Sequence, residues 1–225
     1  MTEERPALWP ELEELLERPG SRARILPVSA GSPTFARLGL ARWSALGALA
    51  SSTGGVLLCD GWIRVFGGVG EGMGARLPAL DEVNAPGAEH FVVACDVLGG
   101  VFAIDGGAFG RADAKLHYFG PDTLDWLDLE IGVWALIEAM CSGADEQFYE
   151  ELRWPGWEAE VIMLGLDEGI GVYPFLCTRG TTPVANASRR AVPMDELVDA
   201  HVELLRHIEG REPSPVPSLR EVERG

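Results

Sequence analysis

Apolar positions along the chain change period several times, and each change marks an element. Leu8, Leu12, Leu15 and Leu16 fall at i, i+4, i+7 and i+8, one face of a helix that starts near Pro10 and stops at Pro19-Gly20. From Arg24 to Leu40, Pro27, Gly31 and Pro33 interrupt any long element, and Ile25-Leu26-Pro27-Val28 reads as a short extended edge. A second helix is predicted over residues 43–51, closed by Thr53-Gly54-Gly55, where glycine accepts a left-handed cap. Residues 56–59 and 62–66 flank Asp60-Gly61, a pair suited to positive φ at both central positions of a hairpin turn.

The pattern centres on the stretch from His90 to Ser142. Phe91-Val92-Val93-Ala94-Cys95 and Val101-Phe102-Ala103-Ile104 are β-branched and aromatic runs separated by Val97-Leu98-Gly99-Gly100, and Leu116-His117-Tyr118-Phe119 follows. Such runs bounded by Gly and Asp predict an antiparallel meander. Leu127, Ile131, Trp134, Ile137 and Cys141 then predict one long helix, capped by Asp122 or Thr123, lying against the sheet and ending at Gly143.

Beyond it, the spacing predicts a short helix over 145–152, an aromatic turn at Arg153-Trp154-Pro155-Gly156-Trp157 and a helix over 157–164. Residues 171–178 read as a strand that Pro174 confines to an edge or bulge, and residues 180–190 as a loop. Leu197, Val198, His201, Leu204, Leu205 and Ile208 mark one face of a final helix stopped by Gly210. With three prolines and few apolar residues, 210–225 reads as a disordered tail. Short strands preceding most of the helices predict an α+β fold, a single domain over 1–209 with a mainly antiparallel sheet of five or six strands flanked by helices.

Charge narrows the function. The chain carries 35 acidic against 18 basic residues, a net charge of −17, with Lys115 its single lysine. Such a field repels phosphates and sets nucleic acid aside; it serves solubility or attracts a cationic protein. No run reaches the ~18 apolar residues of a membrane span, and the first residues lead into a charged amphipathic segment, so a cytoplasmic protein is expected. Cys59, Cys95, Cys141 and Cys177 sit in apolar runs without C-x-x-C spacing and read as buried reduced thiols, with no metal site.

Candidate chemistry is sparse. Gly70-x-Gly72-x-x-Ala75 imitates a dinucleotide fingerprint, but Pro78 arrives where a helix is required, so residues 67–74 read as a mobile surface loop. No G-x-S-x-G elbow occurs, and His201 and His207, six apart, lie about 120° out of register on a helix, too far for joint chelation. Asp96, Asp105, Asp122, Asp125 and Asp128 gather at strand ends and a helix start, where acids normally form turns and caps. Arg153, Trp154 and Trp157 form an aromatic platform able to hold a sugar, an anion or a protein side chain, or to pack in the core.

Several segments together resemble a bacterial family known as a domain of unknown function: Thr53-Gly54-Gly55-Val56 with Gly61-Trp62-Ile63-Arg64-Val65, the run from Asp96 to Gly107, the run from Tyr118 to Leu124, Phe148-Tyr149-Glu150-Glu151-Leu152-Arg153-Trp154, and Tyr173-Pro174-Phe175-Leu176. More distantly, the order helix, Gly-Gly turn, hairpin, strands and helix is similar to the SUKH superfamily, many of whose bacterial members are immunity proteins that neutralise toxins. That resemblance implies an α+β protein-binding fold with no catalytic residues and no cofactor. The leading expectation is therefore a non-enzymatic acidic module covering a basic partner, with Trp62 or Trp157 as anchors and Arg64, Asp96, Asp122, Arg153 and Trp154 as further binding residues. The alternatives are a hydrolase or sugar-processing enzyme using Asp96 and Asp122 with Arg153 as anion clamp, and a small-ligand binder on Trp154 and Trp157.

Overall fold

The computed structural model describes residues 7–72, 74–178, 183–211 and 213–222. Pro10 opens helix α1 (Trp9–Leu16), which buries Leu12, Leu15 and Leu16. Strand β1 (Arg24–Ile25) and helices α2 (Thr34–Arg37) and α3 (Ala45–Ser52) follow; Ser44 Oγ caps α3 by accepting from the Gly47 N–H at 3.0 Å. Strands β2 (Val56–Leu58) and β3 (Ile63–Val65) flank a turn in which Asp60 and Gly61 have φ of 57° and 94°, as their sequence predicts. Helix α4 (Leu80–Val83), strands β4 (His90–Asp96), β5 (Val101–Asp105), β6 (Leu116–Phe119) and β7 (Trp126–Asp128), and helices α5 (Val133–Cys141), α6 (Asp145–Phe148) and α7 (Trp157–Val161) come next. Strands β8 (Glu168–Tyr173) and β9 (Ser188–Pro193) and helix α8 (Met194–Glu209) complete the chain.

β1 to β7 form one antiparallel sheet whose spatial order is the sequence order, so it has seven strands rather than five or six. The unexpected strand is β7, which lies where a helix was predicted. Its residues pair with β6 as His117↔Asp128, Tyr118↔Leu127 and Phe119↔Trp126. The backbone is extended through Asp128, Glu130 takes φ of 57°, and Leu116 N–H still meets Ile131 O at 2.8 Å, so α5 starts only after Gly132. Leu127 accordingly points outward, 56% exposed, while Trp134 and Ile137 still pack on the core. Spacing of three and four is shared by a helix and by a strand-plus-helix, and it did not separate them.

Both sheet faces are covered. On one face Leu58, Ile63, Val65, Phe102, Leu116 and Tyr118 pack under α1, α3 and α5; on the other Leu57, Val92, Cys95, Val101, Ala103 and Phe119 pack under α4 and α8. A register shift between Val92 and Ala94 lets the consecutive Val93 and Ala94 face the same core. Burial of both faces explains why the central strands read as nearly continuous apolar runs.

Three further expectations are corrected. Residues 67, 68 and 70 are buried rather than in a mobile surface loop: a Cβ on Gly67 would lie 2.6 Å from Thr53 O, and Gly70 bridges to Val28. The loop predicted over 180–190 gives way at Ser188 to β9, which pairs with β8 along six residues. The described part of the C-terminal tail packs: Trp126 Nε1 donates to Pro215 O at 2.8 Å, Val222 N–H to Glu82 O at 2.7 Å, and Leu219 is 7% exposed. Among the described residues no helix is long and apolar enough to cross a membrane.

Candidate functional site

Six of the seven sequence-predicted binding residues lie inside the molecule, four of them in one aromatic cluster. Trp62, carried by the β2–β3 turn, is completely buried, and its ring meets Trp157 edge-on at 5.0 Å, Tyr149 at 5.4 Å and Trp154 at 5.8 Å. The Arg153 guanidinium lies 4.2 Å from the Trp157 ring centre, 4.8 Å from Trp62 and 5.4 Å from Tyr149. Arg153 Nη1 donates to Asp145 Oδ2 at 2.6 Å, while its Nε and Nη2 are buried without hydrogen-bond partners, so ring faces supply the remaining contact. Asp145, with a fully enclosed side chain, also takes a hydrogen bond from Arg22, whose Nη1 reaches Asp60 at 3.4 Å. Burial alone would lower the Arg22 pKa, but Asp145 holds it above its ordinary value.

A second layer closes over this cluster. Trp154 Nε1 donates to Glu160 at 2.8 Å, and Arg189 from β9 stacks 4.4 Å from the Trp154 ring while donating to the same carboxylate. Tryptophans at 0%, 3% and 7% exposure offer no surface to a partner, so the anchor role expected for Trp62 and Trp157 is corrected to a packing role. Arg64 is likewise internal, at 3% exposure; its Nη1 donates to Leu166 O at 2.9 Å and to Glu168 O, tying β3 to β8.

Asp96 is wholly buried at the β4–β5 turn. Its Oδ1 accepts from Leu98 N–H and Gly100 N–H, both at 2.9 Å, and its Oδ2 from Tyr118 Oη at 2.6 Å and Tyr149 Oη at 3.2 Å. Burial raises the Asp96 pKa, although all four donors act against the rise, and burial also lifts both tyrosines well above their usual value. A Cβ on Gly100 would sit 2.2 Å from Asp96 Oδ2, so only glycine lets the carboxylate reach both tyrosines. Asp105 is held by backbone N–H donors from Gly107, Phe109, Arg111 and Ala112, a turn-former as its position suggests.

Asp122 is the one predicted residue that reaches an open site. With Asp125, Glu150 and Glu151 it lines a groove of about 610 Å³ walled by Trp126, Leu127 and Phe148, with Tyr118 at its base. Among the described residues no Lys, Arg or His lines it, though Arg211 approaches Asp125 at 3.5 Å. Asp96 and Arg153 do not line this groove, so the expected carboxylate pair and arginine clamp share no cleft there. Sequence reasoning passed over Glu150, Glu151 and Trp126: the first two lay in a predicted helix, and Trp126 in a strand that was not recognised.

A second cavity, about 520 Å³, lies between the β8–β9 hairpin and α8, lined by Leu98, Ile170, Val172, Leu176 and Leu197 with Arg190 and Glu196 among its polar groups. His201 also touches it; the imidazole packs against Gly99, and burial lowers its pKa to about 4. Among the described residues no group of three His, Cys, Asp or Glu side chains is placed to hold a metal ion.

Comparison with known proteins agrees with the family-level resemblance. The chain is 31% identical over 193 residues to the uncharacterized protein YbfG of Escherichia coli (strain K12), covering 84% of this chain and 88% of that one. It is 28% identical over 169 residues to an uncharacterized protein of Haemophilus influenzae (strain ATCC 51907 / DSM 11121 / KW20 / Rd), covering 73% and 70%. No solved structure matches the chain significantly. The model of one family, described as protein of unknown function DUF2625, matches residues 1–197, and the chain belongs to that family.

Proposed function

We propose that this chain is a non-enzymatic binding protein that seats a basic segment of a partner polypeptide in the groove between β7 and α6. The observation that carries the reading is the groove's composition: Asp122, Asp125, Glu150 and Glu151 around Trp126, Leu127 and Phe148, with no cationic side chain lining it among the described residues. Carboxylates at a rim accelerate encounter with a basic partner, and an apolar floor holds it once water is expelled. The charge of −17 extends the attraction beyond the groove itself. The similarity of element order to SUKH immunity proteins adds the class of partner, a basic toxin met in the cytoplasm. Against the hydrolase alternative, Asp96 is fully buried and engaged by four donors, which leaves it no route to a substrate.

The test is affinity capture from the native cell with the wild-type chain and with a Glu150→Gln/Asp122→Asn variant, followed by a toxin-protection assay on any basic protein retained. A partner held by the wild type, released between low and physiological salt and lost by the variant supports the groove; the Debye length falls to about 8 Å at 0.15 M. A partner held equally by both chains, or turnover of a metabolite by the purified protein, overturns the reading.

A further inference from the structure

The cavity between the β8–β9 hairpin and α8 is separate from the acidic groove and has different chemistry. It lies where the two cores meet: Leu98, Ile170, Val172 and Leu176 belong to one, Val192 and Leu197 to the other. At about 520 Å³ it falls within the 300–1,000 Å³ typical of small-molecule sites. Tyr173, 68% exposed, and Phe175, 39% exposed, stand at its border although both are large and apolar.

Its charges decide the ligand. Arg189 is committed, stacked on Trp154, donating to Glu160 and to the carbonyls of Val184 and Ala187. Arg190 on β9 and Glu196 in the first turn of α8 are both exposed and form no ion pair among the described residues. One unpaired cation and one unpaired anion on an apolar cavity suit a molecule carrying the opposite charges at one end and an apolar body at the other. Gly171 deepens the space: a Cβ there would make only ordinary contact, 3.5 Å from Val192, so the backbone tolerates a side chain that the cavity then has to accommodate.

We propose that this cavity binds a small zwitterion with an apolar side chain, of the class of free branched or aromatic amino acids. The carboxylate pairs with Arg190, the ammonium with Glu196, and the side chain lies on Ile170, Val172, Leu176 and Leu197.

Isothermal titration of the full chain with phenylalanine and leucine tests the assignment, beside N-acetylphenylalanine, which lacks the ammonium, and phenethylamine, which lacks the carboxylate. Binding of an amino acid at least tenfold tighter than of both analogues is the expected result. Arg190→Gln should remove the preference over phenethylamine, and Glu196→Gln the preference over N-acetylphenylalanine; both are exposed positions that leave folding intact. Gly171→Leu, its folding checked by circular dichroism, should abolish binding by filling the cavity. No binding of either amino acid at millimolar concentration, equal binding of the two analogues and the zwitterion, or full binding by folded Gly171→Leu overturns the proposal.

Discussion

Replacing Asp145 with alanine removes the carboxylate that Arg153 Nη1 donates to at 2.6 Å, leaves it only the backbone carbonyl of residue 145 at 3.5 Å, and strands a cation beneath three aromatic rings. Deleting one member of a buried ion pair costs about 3–5 kcal/mol, because the other charge stays desolvated. The two arginines differ in how far they escape that cost. Arg22 has a side chain 31% exposed and keeps Asp60 at 3.4 Å, so its share stays within about 1 kcal/mol. The Arg153 side chain is only 10% exposed, so its charge stays largely desolvated, and it sets the total at about 3–4 kcal/mol. For a chain of this size each kcal/mol moves the melting temperature by about 2–4 °C, so the variant should melt roughly 6–16 °C lower. Urea titration followed by tryptophan fluorescence measures the loss directly, since Trp62, Trp154 and Trp157 surround the site. The double variant Asp145→Leu/Arg153→Met should recover much of it, because apolar groups of similar volume commonly replace buried ion pairs without loss. An Asp145→Ala cost below about 1 kcal/mol, or a double variant as costly as the sum of its single changes, would refute the reasoning.

Three other outcomes follow from the same packing. Burial lowers the folded-state pKa of His201 to about 4 from 6.5, so as pH falls the unfolded chain takes up this proton first. Stability should then decline between about pH 6.5 and 4, by up to about 3 kcal/mol, and His201→Gln should flatten that part of the urea-midpoint profile; an unchanged profile would remove His201 from the account. Gly100→Ala places a Cβ 2.2 Å from Asp96 Oδ2 and 2.4 Å from Tyr118 Oη, which should cost at least about 1–3 kcal/mol in equilibrium unfolding, and a neutral result would contradict the described contacts. Burial raises the thiol pKa to about 12 at Cys95 and about 11 at Cys141 and further still at Cys59, so a thiol reagent near pH 8 should label the folded protein slowly and all four cysteines in urea; rapid labelling of Cys59 or Cys95 would show that the sheet opens.

The meander, the first hairpin, α1, α3 and α8 were legible because each carries an unambiguous period or a turn pair with defined φ. β7 was not, because Leu127 and Ile131 extend the periodicity of α5 across a break made by the φ of Glu130 and by Gly132, which no apolar count records. β9 was hidden by Ser188-Arg189-Arg190, polar residues held in a strand by pairing with β8 and by the Glu160 carboxylate. The tail was misread for a related reason: one leucine and a few backbone hydrogen bonds suffice to dock a proline-rich segment on a surface already built. The Arg153-Trp154-Trp157 group stands out in the sequence, yet composition alone does not say whether such a group faces inward; its counter-charge Asp145 lies 8 positions from Arg153, and Arg22, the second arginine on that carboxylate, 131 positions away.

The seven strands of the main sheet occupy their spatial positions in the order in which they are synthesised. The β2–β3, β4–β5, β5–β6 and β6–β7 pairings can therefore close by a hairpin or short loop as each strand emerges, while β1–β2 and β3–β4 close across the segments that carry α2 to α4, so loop-closure entropy stays small at most steps. Residues 168–209 meet different conditions: Ile170 N–H bonds to Val97 O at 2.6 Å and Arg64 holds the Leu166 and Glu168 carbonyls, so their partners lie on strands made long before. Synthesis thus separates the chain into a sheet that assembles progressively and a C-terminal layer, β8, β9 and α8, whose docking sites on β3 and the β4–β5 turn are made before it.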